Sequence, residues 1–202
     1  MDDGSIETEI TTYLFDLDGT LVDEKIYSRI YSKIVKMIKE KKGLDEEEIS
    51  GRAEQWKLTR NKEGRWDTGE LCKELGLLNS YYRILEKEIQ TKVKLIMHKK
   101  IIVLLRDGEK KKKKIGIVSN SFRKTISLYI KALHLDKQID FVFSSEDAGC
   151  KKKEKKFWKK LREQEGLTPE KCLVIGNDEI DDQNVPRLAG FRTKLINSQK
   201  ER

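Results

Sequence analysis

The stretch "YLFDLDGTLVD", residues 13–23, joins a short apolar run to two carboxylates, Asp16 and Asp18, and then to Gly19 and Thr20. A continuous apolar run that ends abruptly in polar residues reads as a β-strand buried on both faces, the kind found in parallel sheets. Gly19 permits a sharp turn just past the strand, where a Cβ would obstruct one. The turn lets the second carboxylate swing over the first. One carboxylate can then serve as nucleophile while its neighbour handles protons, provided that a divalent cation offsets their mutual repulsion.

Working outward, the run at 11–18 is one of five. The others are "IGIVSNS" at 115–121, "DFVFSS" at 140–145, "CLVIGN" at 172–177 and "RTKLIN" at 192–197. Helical patterns separate the last four, at residues 122–135, 155–164 and 185–189. Strands alternating with helices predict βαβ units and a doubly wound α/β fold. In such sheets, ligands bind beyond the C-terminal ends of the strands. Asp16 and Asp18, Ser119 and Asn120, and Asn177 and Asp178 all fall at those ends.

A purely helical stretch interrupts the alternation after the first strand. In "KIYSRIYSKIVKMIKEKKG", residues 25–43, Ile26, Ile30, Ile34 and Ile38 recur every fourth position, and Gly43 is a candidate C-cap. "LDEEEISGRAEQWKL" at 44–58 opens on Asp45 as N-cap with an acidic first turn, and "DTGELCKELG" at 67–76 opens on Asp67. "SYYRILEKEIQTKVKLIM" at 80–97 predicts a fourth helix. The expected organisation is an α/β core of residues 1–22 and 99–202 with a helical domain, 23–98, inserted into it. No internal repeat stands out, and only "SQKER" at the C-terminus reads as frayed.

Composition narrows the class. The chain of 202 residues is 37% hydrophobic and 39% charged, against about 45–50% and about 25% in ordinary globular domains. Its helices therefore carry heavily charged surfaces. A formal charge of +8 and a pI near 9.2 attract anions of many kinds. The lysine runs at 110–114 and 151–160 read as solvated helix faces in preference to a nucleic-acid surface. Cys72, Cys150 and Cys172 show no CxxC spacing and are odd in number, which predicts a reduced, intracellular protein. No apolar run approaches the ~20 residues of a membrane span. The acidic N-terminus has no signal-peptide core, so a cytoplasmic protein without a membrane partner is expected. His98 and His134 have no partner at ligand spacing and read as structural, as do Trp56 and Tyr129 on helix faces.

Four motifs in order, "FDLDGTLVD" at 15–23, "IGIVSNS" at 115–121, "GCKKKEKKFW" at 149–158 and "VIGNDEIDD" at 174–182, resemble those of the haloacid dehalogenase-like superfamily of phosphatases and phosphotransferases. The resemblance implies a Rossmann-like core with an inserted helical cap of the C1 type. It also implies Mg²⁺ as cofactor and an aspartyl-phosphate intermediate. Asp16 would be the nucleophile, and Asp18 would protonate the leaving oxygen and then activate water. Asp at position 18, which dehalogenating relatives lack, favours phosphoryl chemistry. Gly19, Thr20, Ser119 and Asn120 would bind the phosphoryl group. A serine at a strand end is equally an N-cap candidate, and a helix N-terminus is itself an anion site.

The third motif supplies a lysine. Counting from Gly149 selects Lys152, with Trp158 at the family's aromatic position, while Lys153 stands where proline is usual, so Lys151 and Lys153 remain alternatives. The fourth motif reads Gly176-Asn177-Asp178 where many relatives read Gly-Asp. Hard Mg²⁺ takes oxygen ligands, which leaves Asn177 and Asp178 as alternative metal ligands beside Asp16 and Asp18, with Asp182 at the spacing of the family's later acid.

The cap resemblance implies a small phosphorylated metabolite as substrate, enclosed by a lid. The connection "TRNKEGRWDTG" at 59–69 offers Arg60, Arg65 and Trp66 as specificity residues. Two other functions remain open: a phosphotransferase or mutase of the same family, and a nucleic-acid-associated binding protein with a degraded site. The sequence carries no signal of oligomeric state.

Overall fold

A computed structural model describes residues 9–61, 64–92, 105, 106, 110 and 113–196. His98, the expected boundary at 98/99, residues 93–97 of the fourth inserted helix, Asn197 of the fifth strand pattern, both chain ends and part of the first lysine run lie outside the described residues.

Five strands, β1 (Thr12–Phe15), β2 (Lys114–Ser119), β3 (Phe141–Ser144), β4 (Cys172–Gly176) and β5 (Arg192–Leu195), form one sheet in the order β3-β2-β1-β4-β5. Every pairing is parallel, and Thr12 pairs with both Lys114 and Cys172. The chain therefore winds from β1 outward through β2 to β3, then returns across the sheet to build β4 and β5 on the other side. The winding reverses between β1 and β4, the crevice where doubly wound sheets bind ligands.

β1 is buried along its whole length, as its uninterrupted apolar sequence requires, whereas the edge strand β5 is largely exposed. On one face of the sheet, Leu14, Val118, Phe143 and Val174 pack with Phe157, Trp158 and Leu161 of a helix at Lys155–Glu165. Phe157 meets Phe143 at 5.1 Å and Trp158 meets Phe191 at 5.3 Å between ring centroids. Truncating an aromatic buried this fully costs about 3–5 kcal/mol, so this helix is anchored by the same segment that carries the lysine motif.

The chain divides into two compact units, Glu24–Val93 and the remainder. The first contains α1 (Lys25–Lys42), α2 (Glu46–Gln55), α3 (Thr68–Glu74) and α4 (Leu78–Lys92). Ile30, Ile34 and Ile38 of α1 are buried as their spacing predicts, and α1 packs against α4. Gly43 closes α1 in the left-handed region at φ 70°, its N–H donating to the Lys39 carbonyl. Asp45 and Glu48 form a reciprocal capping box on α2, and Asp67 caps α3 through the N–H groups of Gly69 and Glu70.

Among the described residues of the α/β unit, the helices between and after the strands from β2 onward are α5 (Arg123–Ala132), α6 (Ser145–Ala148), α7 (Lys155–Glu165) and α8 (Val185–Leu188). α5 is shorter than the predicted 122–135, because His134 adopts φ 54° and Leu135 donates back to the Ile130 carbonyl. The sequence did not predict α6. The expected strand at 140–145 stops at Ser144, where Ser144 and Asp147 form a capping box that starts a helix instead. The "NDEIDD" segment winds into a π-helical turn, Glu179–Asn184, capped by Asp178. Among the described residues, no helix is long and apolar enough to cross a membrane.

Candidate active site

Asp16 follows β1 directly, and its N–H donates to the Ile175 carbonyl of β4 at 2.9 Å, which holds it at the crevice between the two strands. Beyond it the chain closes on itself. The Leu17 carbonyl accepts from the N–H groups of Leu21 and Val22 at 2.8 and 2.9 Å, and Gly19 donates to the Val22 carbonyl at 2.8 Å. Gly19 takes φ 79° to make this turn, a conformation that costs a side-chain-bearing residue about 1–2 kcal/mol. Leu17, Leu21 and Val22 are buried and pin the loop, while Thr20 is fully buried and its hydroxyl has no hydrogen-bond partner among the described residues.

At the end of β2, Ser119 is fully buried and its Oγ accepts from the Ser121 N–H at 3.0 Å. The Ser121 hydroxyl in turn donates to Asp18 Oδ2 at 2.9 Å. The N-cap role considered for the serine segment is not what forms: α5 begins at Arg123, and its N-cap, Phe122, offers no side-chain bond. Asn120 ties three loops together. Its Oδ1 accepts from the Lys152 N–H at 2.8 Å, its Nδ2 donates to Asp181 Oδ2 at 2.6 Å, and its carbonyl accepts from the Ser145 hydroxyl at 2.7 Å.

Of the three lysines, Lys152 turns inward, with Lys151 half-buried and Lys153 exposed. The Lys152 ammonium lies 2.6 Å from Asp16 Oδ1 and 2.5 Å from Asp182 Oδ1, and its side chain is only 2% exposed. Trp158 Nε1 donates to the Lys152 carbonyl at 2.7 Å, so the aromatic six residues on fixes the lysine's backbone. The other oxygen of Asp182 accepts from the Asp178 N–H at 2.9 Å. Asp182 packs so closely over Gly176 that a Cβ there would lie 2.2 Å from its Cγ. Asp178 Oδ1 accepts from the N–H groups of Ile180 and Asp181, both at 2.9 Å, and Asn177 is half-buried beside it.

Burial, with the neighbouring charges of Asp182 and Asp18, pushes the Asp16 carboxyl well above the usual range against the opposing pull of Lys152. Burial works to discharge Lys152 as well, yet Asp16 and Asp182 more than offset it and hold the ammonium charged. Asp181 is raised by its burial, with Lys152 and Asn120 acting against the shift. Asp16 and Asp182 thus share one lysine and Asp18 adds a further charge beside Asp16, an excess of negative charge offered entirely through hard oxygen donors. That donor set fits a divalent cation of the magnesium type. Among the described residues no three His, Cys, Asp or Glu side chains form a ready cage for a metal. Magnesium does not need one, because it commonly binds through one or two carboxylates together with waters and a substrate phosphate.

At the switch crevice the structure thus brings together a buried carboxylate, the lysine paired with it and a second carboxylate two residues on, an arrangement chemically capable of attack at an electrophilic centre. The family model of the haloacid dehalogenase-like hydrolases matches residues 13–196, which include every group just described. The chain belongs to that family. No curated protein shows significant sequence similarity to it. Among solved structures, it resembles a HAD phosphatase from Thermococcus onnurineus with a TM-score of 0.74 and 22% identity, over 96% of this chain and 89% of that one. It also resembles the HAD-hydrolase YfnB from Bacillus subtilis bound to magnesium, TM-score 0.62 and 23% identity, over 96% and 90%. The L-2-haloacid dehalogenase from Xanthobacter autotrophicus is similar as well, TM-score 0.59 and 18% identity, over 93% and 77%. Identities this low establish the shared fold and leave the choice of substrate to the site itself.

In the helical unit of this HAD-like hydrolase, the three specificity candidates are occupied with local structure. The Arg60 guanidinium stacks 3.7 Å above the Trp66 ring and donates to Gly64 O and Glu54 Oε1, and Trp66 is buried with its Nε1 bonded to Ser50 Oγ. Arg65 lies over the Tyr31 ring at 5.6 Å. Ser121 and Asp181 join the site although neither is a site candidate from the sequence. Both stood inside quoted motifs, but nothing in the order "SNS" or "DEIDD" says which residue reaches across to another loop.

Proposed function

We propose that this HAD-like hydrolase is a Mg²⁺-dependent phosphatase of small phosphorylated metabolites, acting through an aspartyl-phosphate on Asp16. The observation that carries this reading is the buried contact of Lys152 with Asp16 at 2.6 Å, with Asp18 held by Ser121 at 2.9 Å. A lysine against the nucleophile offsets the repulsion between a carboxylate and an incoming phosphate dianion, the main electrostatic obstacle to attack. Ser119 would supply a further donor for phosphoryl oxygens, and Thr20 offers a buried hydroxyl with no partner among the described residues. Asp18, whose carboxylate accepts from the Ser121 hydroxyl, would give a proton to the leaving oxygen and then take one from water. Its presence favours phosphoryl transfer over carbon–halogen cleavage.

Asp16 and Asp18, with Asn177 or Asp178, would hold Mg²⁺, which supplies positive charge against the phosphate and the carboxylates. Both Asp182 oxygens are engaged inside the protein, so its role here is to hold Lys152. The reading is tested with p-nitrophenyl phosphate and Mg²⁺. Turnover is expected that EDTA abolishes and that Asp16→Asn reduces by at least a thousandfold; turnover at the wild-type rate in Asp16→Asn excludes Asp16 as nucleophile. Release of chloride from a 2-chloro acid without phosphatase activity would favour a dehalogenase instead.

A further inference from the structure

We infer that Asp181 is a positioning residue: it fixes the amide of Asn120 in the one orientation that anchors the main chain of Lys152. The inference rests on the phosphatase reading only for what Lys152 does; the contacts themselves are independent of it. An Asn side chain has an acceptor end and a donor end, and its partners decide which way round it sits. The Lys152 N–H can only donate, so it selects Oδ1, at 2.8 Å. An ionised Asp181 can only accept, so it selects Nδ2, at 2.6 Å. These partners lie in the loop before α7 and in the π-helical turn after β4, while Asn120 itself follows β2.

The arrangement transmits directly to the nucleophile. Lys152 carries its backbone bond to Asn120 and, through its side chain, the ion pairs to Asp16 and Asp182. The Asn120 carbonyl is separately tied to Ser145, so the backbone of the residue is held while its amide plane is not. Without an acceptor at position 181 the amide plane is held from one side only, so it can swing about its bond to the Lys152 N–H and loosen that bond. The loop before α7 then shifts, and the ammonium with it. A displacement of about 1 Å in a group that orients a reacting atom can cost on the order of a hundredfold in rate. Asp181 acts through Asn120 and Lys152 and is not itself a catalytic residue.

The test uses the full chain with Asp181→Ala, Asp181→Ser and Asp181→Asn. Asn keeps an acceptor oxygen at the same reach, whereas Ala and Ser do not. With p-nitrophenyl phosphate and Mg²⁺, kcat is expected to fall at least tenfold in Asp181→Ala and Asp181→Ser with KM changed less than twofold, and to stay within threefold of wild type in Asp181→Asn. A second readout needs no turnover: the ¹⁵Nζ NMR signal of Lys152, identified by its loss in Lys152→Met. It is expected to stay sharp in Asp181→Asn, displaced only by the loss of the nearby charge, and to broaden or move further in the two truncations. Wild-type kcat and an unmoved signal in a folded truncation overturn the inference, as does an Asn variant impaired as deeply as Ala. If the signal responds as stated but the wild-type chain does not turn over the aryl phosphate, the phosphatase reading fails and the positioning role stands.

Discussion

Lys152 and Asp16 form a buried ion pair, Nζ to Oδ1 at 2.6 Å, between residues 136 positions apart in the chain. Asp182 closes the group from the other side at 2.5 Å. One cation therefore serves two buried carboxylates.

Removing the cation should hurt the fold as well as the chemistry. Lys152→Met leaves Asp16 and Asp182 buried without their counter-ion, and breaking a buried pair from one side costs about 3–5 kcal/mol. Urea unfolding at neutral pH measures the loss, and kcat for p-nitrophenyl phosphate should fall more than a hundredfold.

Asp16→Asn should act in the opposite sense on stability. The folded state raises the Asp16 carboxyl above its unfolded value, chiefly by burial. A raised carboxyl contributes stability that is fully present below the unfolded value, near pH 4, and is lost as pH rises through the folded value. The wild type should therefore lose stability as pH rises through that window, and Asp16→Asn should lose less. Thermal unfolding across the pH range checks this. At neutral pH the inactive variant should melt higher than wild type, with the gap narrowing toward pH 4; parallel curves would contradict the charge argument.

Gly176 and Gly51 make a paired test of space. A Cβ at Gly176 would fall 2.2 Å from Asp182 Cγ, so Gly176→Ala must push Asp182 off Lys152. Overpacking of this kind costs about 1–3 kcal/mol, and kcat should fall at least tenfold. Gly51 lies inside α2, where an added Cβ would meet nothing within 4 Å. Gly51→Ala should raise stability by about 0.5–1 kcal/mol. Chemical denaturation of both variants compares the two directly.

Trp158→Phe keeps most of the buried ring and removes the Nε1 bond to the Lys152 carbonyl, 2.7 Å in the native protein. The freed carbonyl is buried, so a loss of about 1–3 kcal/mol is expected. Because that carbonyl belongs to the lysine of the site, kcat should fall several-fold with KM little changed. A stability loss with unaltered kcat would make Trp158 purely a core residue.

Much of this was legible in the sequence because it is local. Uninterrupted apolar runs marked the strands, four-residue isoleucine spacing marked the buried face of α1, and Asp45, Asp67 and Gly43 marked helix ends through bonds to residues two to four positions away. α6 went unread for a local reason as well, since a Ser-x-x-Asp capping box lay inside an apolar pattern that resembles a strand.

What the sequence determined by itself is the order of strands and helices, the family, and the set of polar residues delivered to the strand ends. Only the tertiary structure decided among them. Spacing from Gly149 favoured Lys152 and left Lys151 and Lys153 as alternatives; the Trp158 indole and the Asn120 amide decide it by holding the Lys152 backbone while its side chain turns inward. Likewise, Ser121 reaches Asp18 across 103 residues and Asn120 reaches Asp181 across 61. Periodicity and capping are written in neighbouring residues, whereas the partner of a buried charge is whichever group the parallel sheet brings to the same crevice.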